Sequence, residues 1–350
     1  VPQDRRSPRP RLTDVAAVAG VSMKTVSNVM GGYAPVSEPT RTKVLAAVDQ
    51  VGYRPNLSAR NLARGRSGVI VLAVPRLELP YFASLAGSVV EAAGEHGWFV
   101  LMHQTGGDPD GERRALHGDF PQRIDGMILS ARELGADDLA DRRATLPLVM
   151  LGDHRLAGAA PHVGIDNRAA GLEAARHLIA GGCRRLAMIG ATASGVADDR
   201  ASGVLDGLHE ADLPVMPELM RPIRANTGED GERATAQMLD EVADPPDALF
   251  AVTDWVAMGA IRALHARGLS VPEDVAVMGF DDIPYASSVS PSLTTIAPDR
   301  GAVARLAVDA LEELVPRGAG GSPGATASPP ESERCAPFRL VIRESTRPVA

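Results

Sequence analysis

From Val69 onward, short apolar runs alternate with longer amphipathic segments, and this alternation most constrains what the chain can fold into. The runs "VIVLAVP", "WFVLMHQ", "GMILS", "PLVMLG", "RLAMIG", "DALFAV" and "VAVMGF" read as strands. Helical patterns over 82–96, 171–181 and 256–267 lie between them. Strand, helix, strand in that order builds parallel βαβ sheets, and there are enough runs for two doubly wound layers. Ligands in such folds sit at the carboxyl ends of the strands, so the residues that follow the runs are the binding candidates. At 350 residues the chain is also too long for one ordinary core and suits more than one domain.

The segment ahead of these runs has a different character. Residues 1–66 hold 11 Lys+Arg against 4 Asp+Glu, a net of +7, which leaves −15 for the rest of a chain whose net charge is −8. A basic head on an acidic body points to a polyanionic partner for the head alone. In "LTDVAAVAGVSMKTVSNVM", Leu12, Val15, Ala16 and Ala19 recur at helical spacing, Gly20 ends that helix and Ser22 can cap the next. Val21, Val26 and Val29 fit a small core, which leaves Met23, Lys24, Ser27 and Asn28 facing outward. A third helix over "SEPTRTKVLAAVDQVGY" sets Val44, Leu45, Val48 and Val51 on one side. Short helices joined by a Gly-containing turn describe a helix-turn-helix.

The stretches "TDVAAVAGVSMKTVSNVM", "TRTKVLAAVDQVGYRPN" and "SARNLARGRSG" resemble, in order and spacing, the DNA-binding head of the LacI/GalR family of bacterial regulators. The resemblance implies that Met23 and Lys24 open the recognition helix and reach base edges, with Asn28 one turn later. Asn28 stands where many members carry Arg; Asn pairs best with adenine and Arg with guanine, so the base read there differs from the common one. Ser22, Thr25 and Ser27 suit phosphate contacts or caps, and the motif adds Thr13, Tyr53 and Asn56 to the DNA-facing set. In "NLSARNLARGRSG" the small apolar stripe Ala59, Leu62 and Ala63 is surrounded by Arg60, Arg64 and Arg66. Its plain reading is a solvated basic linker. The family reading is a hinge helix that folds on DNA, with Leu62 wedged into the minor groove.

The resemblance extends over most of 68–350 to an effector domain similar to periplasmic sugar-binding proteins, through "VGIDNRAAGLEAARHLIAGGCRRLAMIG", "ALFAVTDWVAMGAIRALHARGLSVPEDVAVMGFDDIPYA", "SLTTI" and "FRLVIREST". The implied fold class is α/β: an all-α helix-turn-helix head plus an effector domain of two Rossmann-like subdomains. The implied domains are residues 1–56 with helices over about 12–51, a hinge helix at 57–67, and 68–350, with the chain crossing between subdomains near 166–168, 291–297 and 316–337. A departure from the family pattern, "PRGAGGSPGATASPPESER" at 316–334, is expected at a crossover between the halves.

Strand ends and motif together nominate Asp166, Arg200, Thr253, Asp254 and Asp281 as effector contacts, because carboxylates beside an Arg hold a polyol well. Asp166 and Asp254 equally suit helix N-caps, and Asp282 suits a cap better than a ligand. Tyr81 and Phe82 follow the first strand, where family members carry aromatics that stack on a sugar or a flat base; since neighbours point apart, one of them belongs to the core. Asp153 lies one position beyond Gly152, where some sugar-binding members carry Asp. Trp255 fits either the cleft or the packing beneath it.

Cys183 and Cys335 are far apart and outside any metal-ligand pattern, so free thiols, no metal and no cofactor are expected. The absence of a long apolar run and of an apolar leader implies a cytoplasmic protein without a membrane partner. No GxSxG, P-loop, HExxH or strand-following GxGxxG appears, so no catalytic residues are assigned. The resulting expectation is a homodimeric regulator, chiefly a repressor, that binds a palindromic operator and a small sugar-like effector. The body alone would also suit a solute receptor for transport, which DNA binding excludes, or a sugar-processing enzyme, which turnover would reveal.

Overall fold

The computed structural model describes residues 10–31, 35–54, 66–142, 146–153, 160–190, 199–316 and 333–347. The chain divides into two compact units, one ending at Ser67 and one starting at Gly68. The first holds α1 (Leu12–Ala19), α2 (Met23–Met30) and α3 (Glu38–Val51). Gly20 ends α1 at φ 62°, a left-handed conformation that a Cβ would strain, and its N–H bonds back to the carbonyls of Ala16 and Ala17. Two residues later the Ser22 hydroxyl accepts from the Thr25 N–H at 3.1 Å and starts α2. Val15, Ala16, Ala19, Val26, Val29, Val44 and Ala47 form the core of the unit. Leu45 does not join them and is 46% exposed. Val44 and Ala47 are three apart and share the buried face of α3, whereas Leu45 is turned about 100° away by the helical repeat.

The second unit contains two six-stranded sheets. In the first, β1 (Val69–Val74) is central between β2 (Phe99–Gln104) and β3 (Gly126–Ser130), followed by β4 (Leu148–Leu151), β5 (His162–Gly164) and β11 (Glu333–Cys335), all parallel. In the second, β6 (Leu186–Ile189) lies between β7 (Met220–Arg221) and β8 (Ala248–Ala251), followed by β9 (Ala276–Phe280), β10 (Thr294–Pro298) and an antiparallel β12 (Phe338–Val341). All seven apolar runs are strands, buried throughout except β2 and the first residue of β1. Burial on both faces is why they read as unbroken apolar stretches.

Helices cover these sheets: α4 (Pro80–Glu95), α5 (Pro109–Leu116), α6 (Ala136–Ala140) and α11 (Arg300–Leu314) belong to the first half, and α7 (Asn167–Ala180), α8 (Asp199–Glu210), α9 (Gly228–Glu241) and α10 (Asp254–His265) to the second. The chain leaves the first sheet after β5, returns through α11, and crosses again at residues 336–337 between β11 and β12. One expected crossing is corrected: residues 294–298 are still strand β10 of the second sheet, so that passage comes after Pro298 rather than over 291–297. The crossing expected near 316–337 falls at the end of that range, while the chain ahead of it runs from α11 to β11, both in the first half; residues 317–332 lie outside the described residues.

Candidate functional site

In the second unit, a cleft between the halves is lined from the first by Tyr81, Phe82, Ser130 and Asp153 and from the second by Arg200, Phe280 and Asp281. Each stands near the carboxyl end of a strand or in the first turn of a helix. Tyr81 and Phe82 both face the cleft from the start of α4, with ring centroids 5.3 Å apart and planes at 73°. Both are partly buried and pack against the core while they line the cleft: successive helical positions lie about 100° apart, close enough to flank one opening. Burial pushes the Tyr81 phenol well above its ordinary value, and the Asp281 and Asp153 carboxylates add to the rise.

Arg200 is the hub. Its Nε donates to Asn167 Oδ1 at 2.8 Å and its Nη1 to the Val252 carbonyl at 2.7 Å, while Nη2 lies 2.8 Å from Asp153 Oδ2. The guanidinium carbon sits 3.6 Å from the centroid of the Phe280 ring, a cation–π contact that fixes its plane. Glycine makes this placement possible: a Cβ on Gly171 of α7 would collide with the Arg200 carbonyl, so only glycine lets α8 begin so close.

Asp281 follows β9 with φ 111°, an unusual conformation for a residue with a side chain. Its N–H donates to the Ile296 carbonyl at 2.8 Å, and its own carbonyl accepts from Arg300 Nη1. The residue is 5% exposed, and burial holds its carboxyl well above the usual range, with Arg200 opposing that rise and Asp254 and Asp153 adding to it.

Three other nominated residues do not line the cleft. Asp166 is the N-cap of α7, accepting from the Ala169 N–H at 2.9 Å. Thr253 caps α10 by accepting from the Val256 N–H at 3.3 Å. Asp254 is completely buried: Oδ1 accepts from the Thr295 hydroxyl at 2.6 Å and Oδ2 from the Ile283 N–H at 2.8 Å. It is thus a clasp between α10 and the strand-end loops rather than a cap, and burial pushes its carboxyl up to about 7. Asp282 is not a cap either; its Oδ1 accepts from Arg343 Nη2 at 2.6 Å. Trp255 packs 6.3 Å from Tyr285 at the surface, away from the cleft lining. No local signal singles out Asn167 or Phe280, and Asp153 lies one position beyond the one the family pattern marks. The signal for Asp153 was its position after β4, the strand-end rule that nominated Asp281.

On the helical unit, Met23 is 52% exposed, Lys24, Ser27 and Thr13 are exposed, and Thr25 and Asn28 are half-buried. Ser22 is engaged as the α2 cap, with its hydroxyl 2.9 Å from that of Thr25. Tyr53 packs half-buried on the core of the unit. Asn56, Ala59, Arg60, Leu62 and Ala63, and with them the hinge stripe, lie outside the described residues. Among the described residues no group of His, Cys, Asp and Glu could hold a metal ion, and no helix is long and apolar enough to cross a membrane.

Residues 11–56 match the family "Bacterial regulatory proteins, lacI family", and residues 175–346 match the periplasmic binding protein-like domain. Over 339 residues the chain is 32% identical to the HTH-type transcriptional repressor CytR of Escherichia coli strain K12, spanning 96% of each protein. The chain belongs to the lacI family of bacterial regulatory proteins. Another lacI-type relative, the HTH-type transcriptional regulator DegA of Bacillus subtilis strain 168, is 32% identical over 81% of this chain and 85% of its own length. Among solved structures of the family, the lac repressor dimer bound to operator and the anti-inducer ONPF superimposes with a TM-score of 0.76 at 27% identity, covering 97% of this chain and all of that one. The transcriptional regulator CelR in complex with cellobiose gives 0.68 at 30% identity, covering 96% and 100%. The lacI family consists of transcriptional regulators, not enzymes, and the α/β architecture with a helix-turn-helix head is that of its members.

Proposed function

We propose that the protein is a cytoplasmic repressor that binds a palindromic operator as a homodimer and whose operator affinity is set by a small polyhydroxylated effector held between Tyr81, Phe82, Asp153, Arg200 and Asp281. In this reading the units are a head over 1–56, a hinge over 57–67 and an effector and dimerisation domain over 68–350. Met23, Lys24 and Asn28 read bases, Leu62 wedges the operator centre, and Thr13, Ser22, Thr25, Ser27, Tyr53, Asn56, Ala59, Arg60 and Ala63 support or contact the backbone. Palindromy follows because one helix-turn-helix reads only a half-site.

The observation that carries the effector assignment is a cleft in which both halves supply polar groups beside an aromatic pair, with Arg200 of one half held to Asp153 of the other. Carboxylates accept from adjacent hydroxyls, and rings cover the apolar face of a sugar. A ligand that touches both halves can bias their arrangement, which is what control of DNA affinity requires. The test is operator binding by fluorescence anisotropy on the DNA upstream of the gene, with a panel of sugars, nucleosides and nucleobases. A ligand that shifts operator affinity and loses that effect in Arg200→Ala supports the assignment; one that acts equally on both proteins refutes it.

A further inference from the structure

The cleft also limits the charge of its ligand, an inference that rests on reading it as the effector site. Arg200 is the one guanidinium among the described lining residues, and it is engaged on three sides, by Asn167, Val252 and Asp153. Asn167 closes the circuit, donating its Nδ2 to Asp153 Oδ1 at 3.0 Å while its own oxygen accepts from Arg200. Asn167 is 2% exposed and begins α7, so the relay is anchored where the chain passes from one half to the other. The Asp153 side chain, by contrast, is 53% exposed and that of Arg200 only 12%. An entering molecule therefore meets a carboxylate first, with the guanidinium behind it. Asp281 lines the same cleft with a second carboxyl group. Arg300, the next cation, is turned to the carbonyls of Asp281 and Asp282.

We propose that Asp153, through Asn167 and Arg200, is a charge filter that admits uncharged polyhydroxylated effectors and rejects their phosphate esters or carboxylates. A hydroxyl donates to Asp153 and Asp281 without disturbing the relay. An anion can reach the Arg200 fork only by displacing Asp153, and the displaced carboxylate then faces it at close range. Buried anions need a free partner, and Asp153 has already taken it.

The filter is tested on the full-length protein with inorganic phosphate, by calorimetry on the wild type, Asp153→Ala, Asp153→Asn and the double variant Asp153→Ala/Arg200→Ala. Asp153→Ala is expected to raise phosphate affinity at least about tenfold by freeing the fork. Asp153→Asn, which keeps an acceptor but not the charge, should give a smaller gain. The double variant should fall back to wild type, which separates the cleft from phosphate held by the basic head. Equal phosphate affinity in the wild type and both single variants overturns the proposal. A second arm pairs D-ribose, D-glucose and adenosine with D-ribose 5-phosphate, D-glucose 6-phosphate and adenosine 5′-monophosphate. An ester that binds the wild type as tightly as its parent overturns the filter and leaves the cleft standing as the effector site. A neutral parent whose binding is unchanged by Arg200→Ala overturns the effector site itself, and the filter with it.

Discussion

Replacing Asp254 by Asn should make the protein more stable at neutral pH than at acid pH, relative to the wild type. Asp254 is completely buried, with one oxygen on the Thr295 hydroxyl and the other on the Ile283 N–H. Burial raises its pKa from 3.8 to about 7, so the folded protein holds this proton more tightly than the unfolded chain does. The associated stability is fully present below about pH 4, the unfolded value, and is lost as pH rises toward about 7. A rise of roughly three units at 1.36 kcal/mol each amounts to about 4 kcal/mol across that window. Asn has the same shape and no charge; its oxygen can accept from Ile283 and its amide can donate to Thr295 Oγ1. The stability of the variant minus that of the wild type should therefore grow by about 4 kcal/mol between about pH 4 and about pH 8, and level off above. For a unit of this size that is a gap of roughly 8 °C in Tm. Asp281 titrates in the same direction in both proteins; the variant lacks the Asp254 charge that adds to its rise, which widens the gap in the same sense. Thermal unfolding of both proteins by circular dichroism in matched buffers reads the gap directly. A gap that is constant to within about 1 kcal/mol, or that closes as pH rises, would refute the buried-clasp account of Asp254.

Asp281→Asn and Arg200→Ala should each weaken effector binding by more than about tenfold, since each removes a charge-assisted contact worth about 1.5–3 kcal/mol; calorimetry checks this, and losses below about twofold would return both residues to a structural role. Gly171→Ala should destabilise the protein by roughly 2 kcal/mol or more, because the new methyl meets the Arg200 carbonyl at the α7–α8 contact, and it should also blunt the effector response by displacing Arg200. Lys24→Ala should cost roughly 1–3 kcal/mol of operator affinity if Lys24 reads a base, with the wild-type affinity falling steeply between about 50 and 200 mM salt. Leu62→Ala should lower affinity for the operator far more than for random DNA, and equal losses on both would sink the wedge.

Periodicity and cap chemistry made much of the architecture legible in advance. Short apolar runs announced the seven strands because both faces of a parallel sheet are covered, and Gly20 with Ser22 marked the turn between α1 and α2 because each satisfies a local backbone demand. The strands outside those seven runs, β5, β7, β10, β11 and β12, are two to five residues long, and their partners across the sheet make them strands. Among candidate contacts the local signal was ambiguous. A carboxylate after a strand is at once a ligand, a cap and a clasp, and Asp166, Asp254 and Asp281 all met that description.

What the sequence determined by itself were the properties carried by neighbouring residues: element type, the turn chemistry, the basic head on an acidic body, and the motifs that mark the family. What only the tertiary structure decided is which side chains meet across distance. Asp153 and Arg200 are 47 positions apart and come together because the chain leaves the first sheet after β5 and α8 packs closely against Gly171. Asp254 was withdrawn from the cleft by Thr295 and Ile283, partners far along the chain. Burial and pairing are sums over such long-range neighbours, and no local pattern encodes them; they arise when the two sheets close on one another.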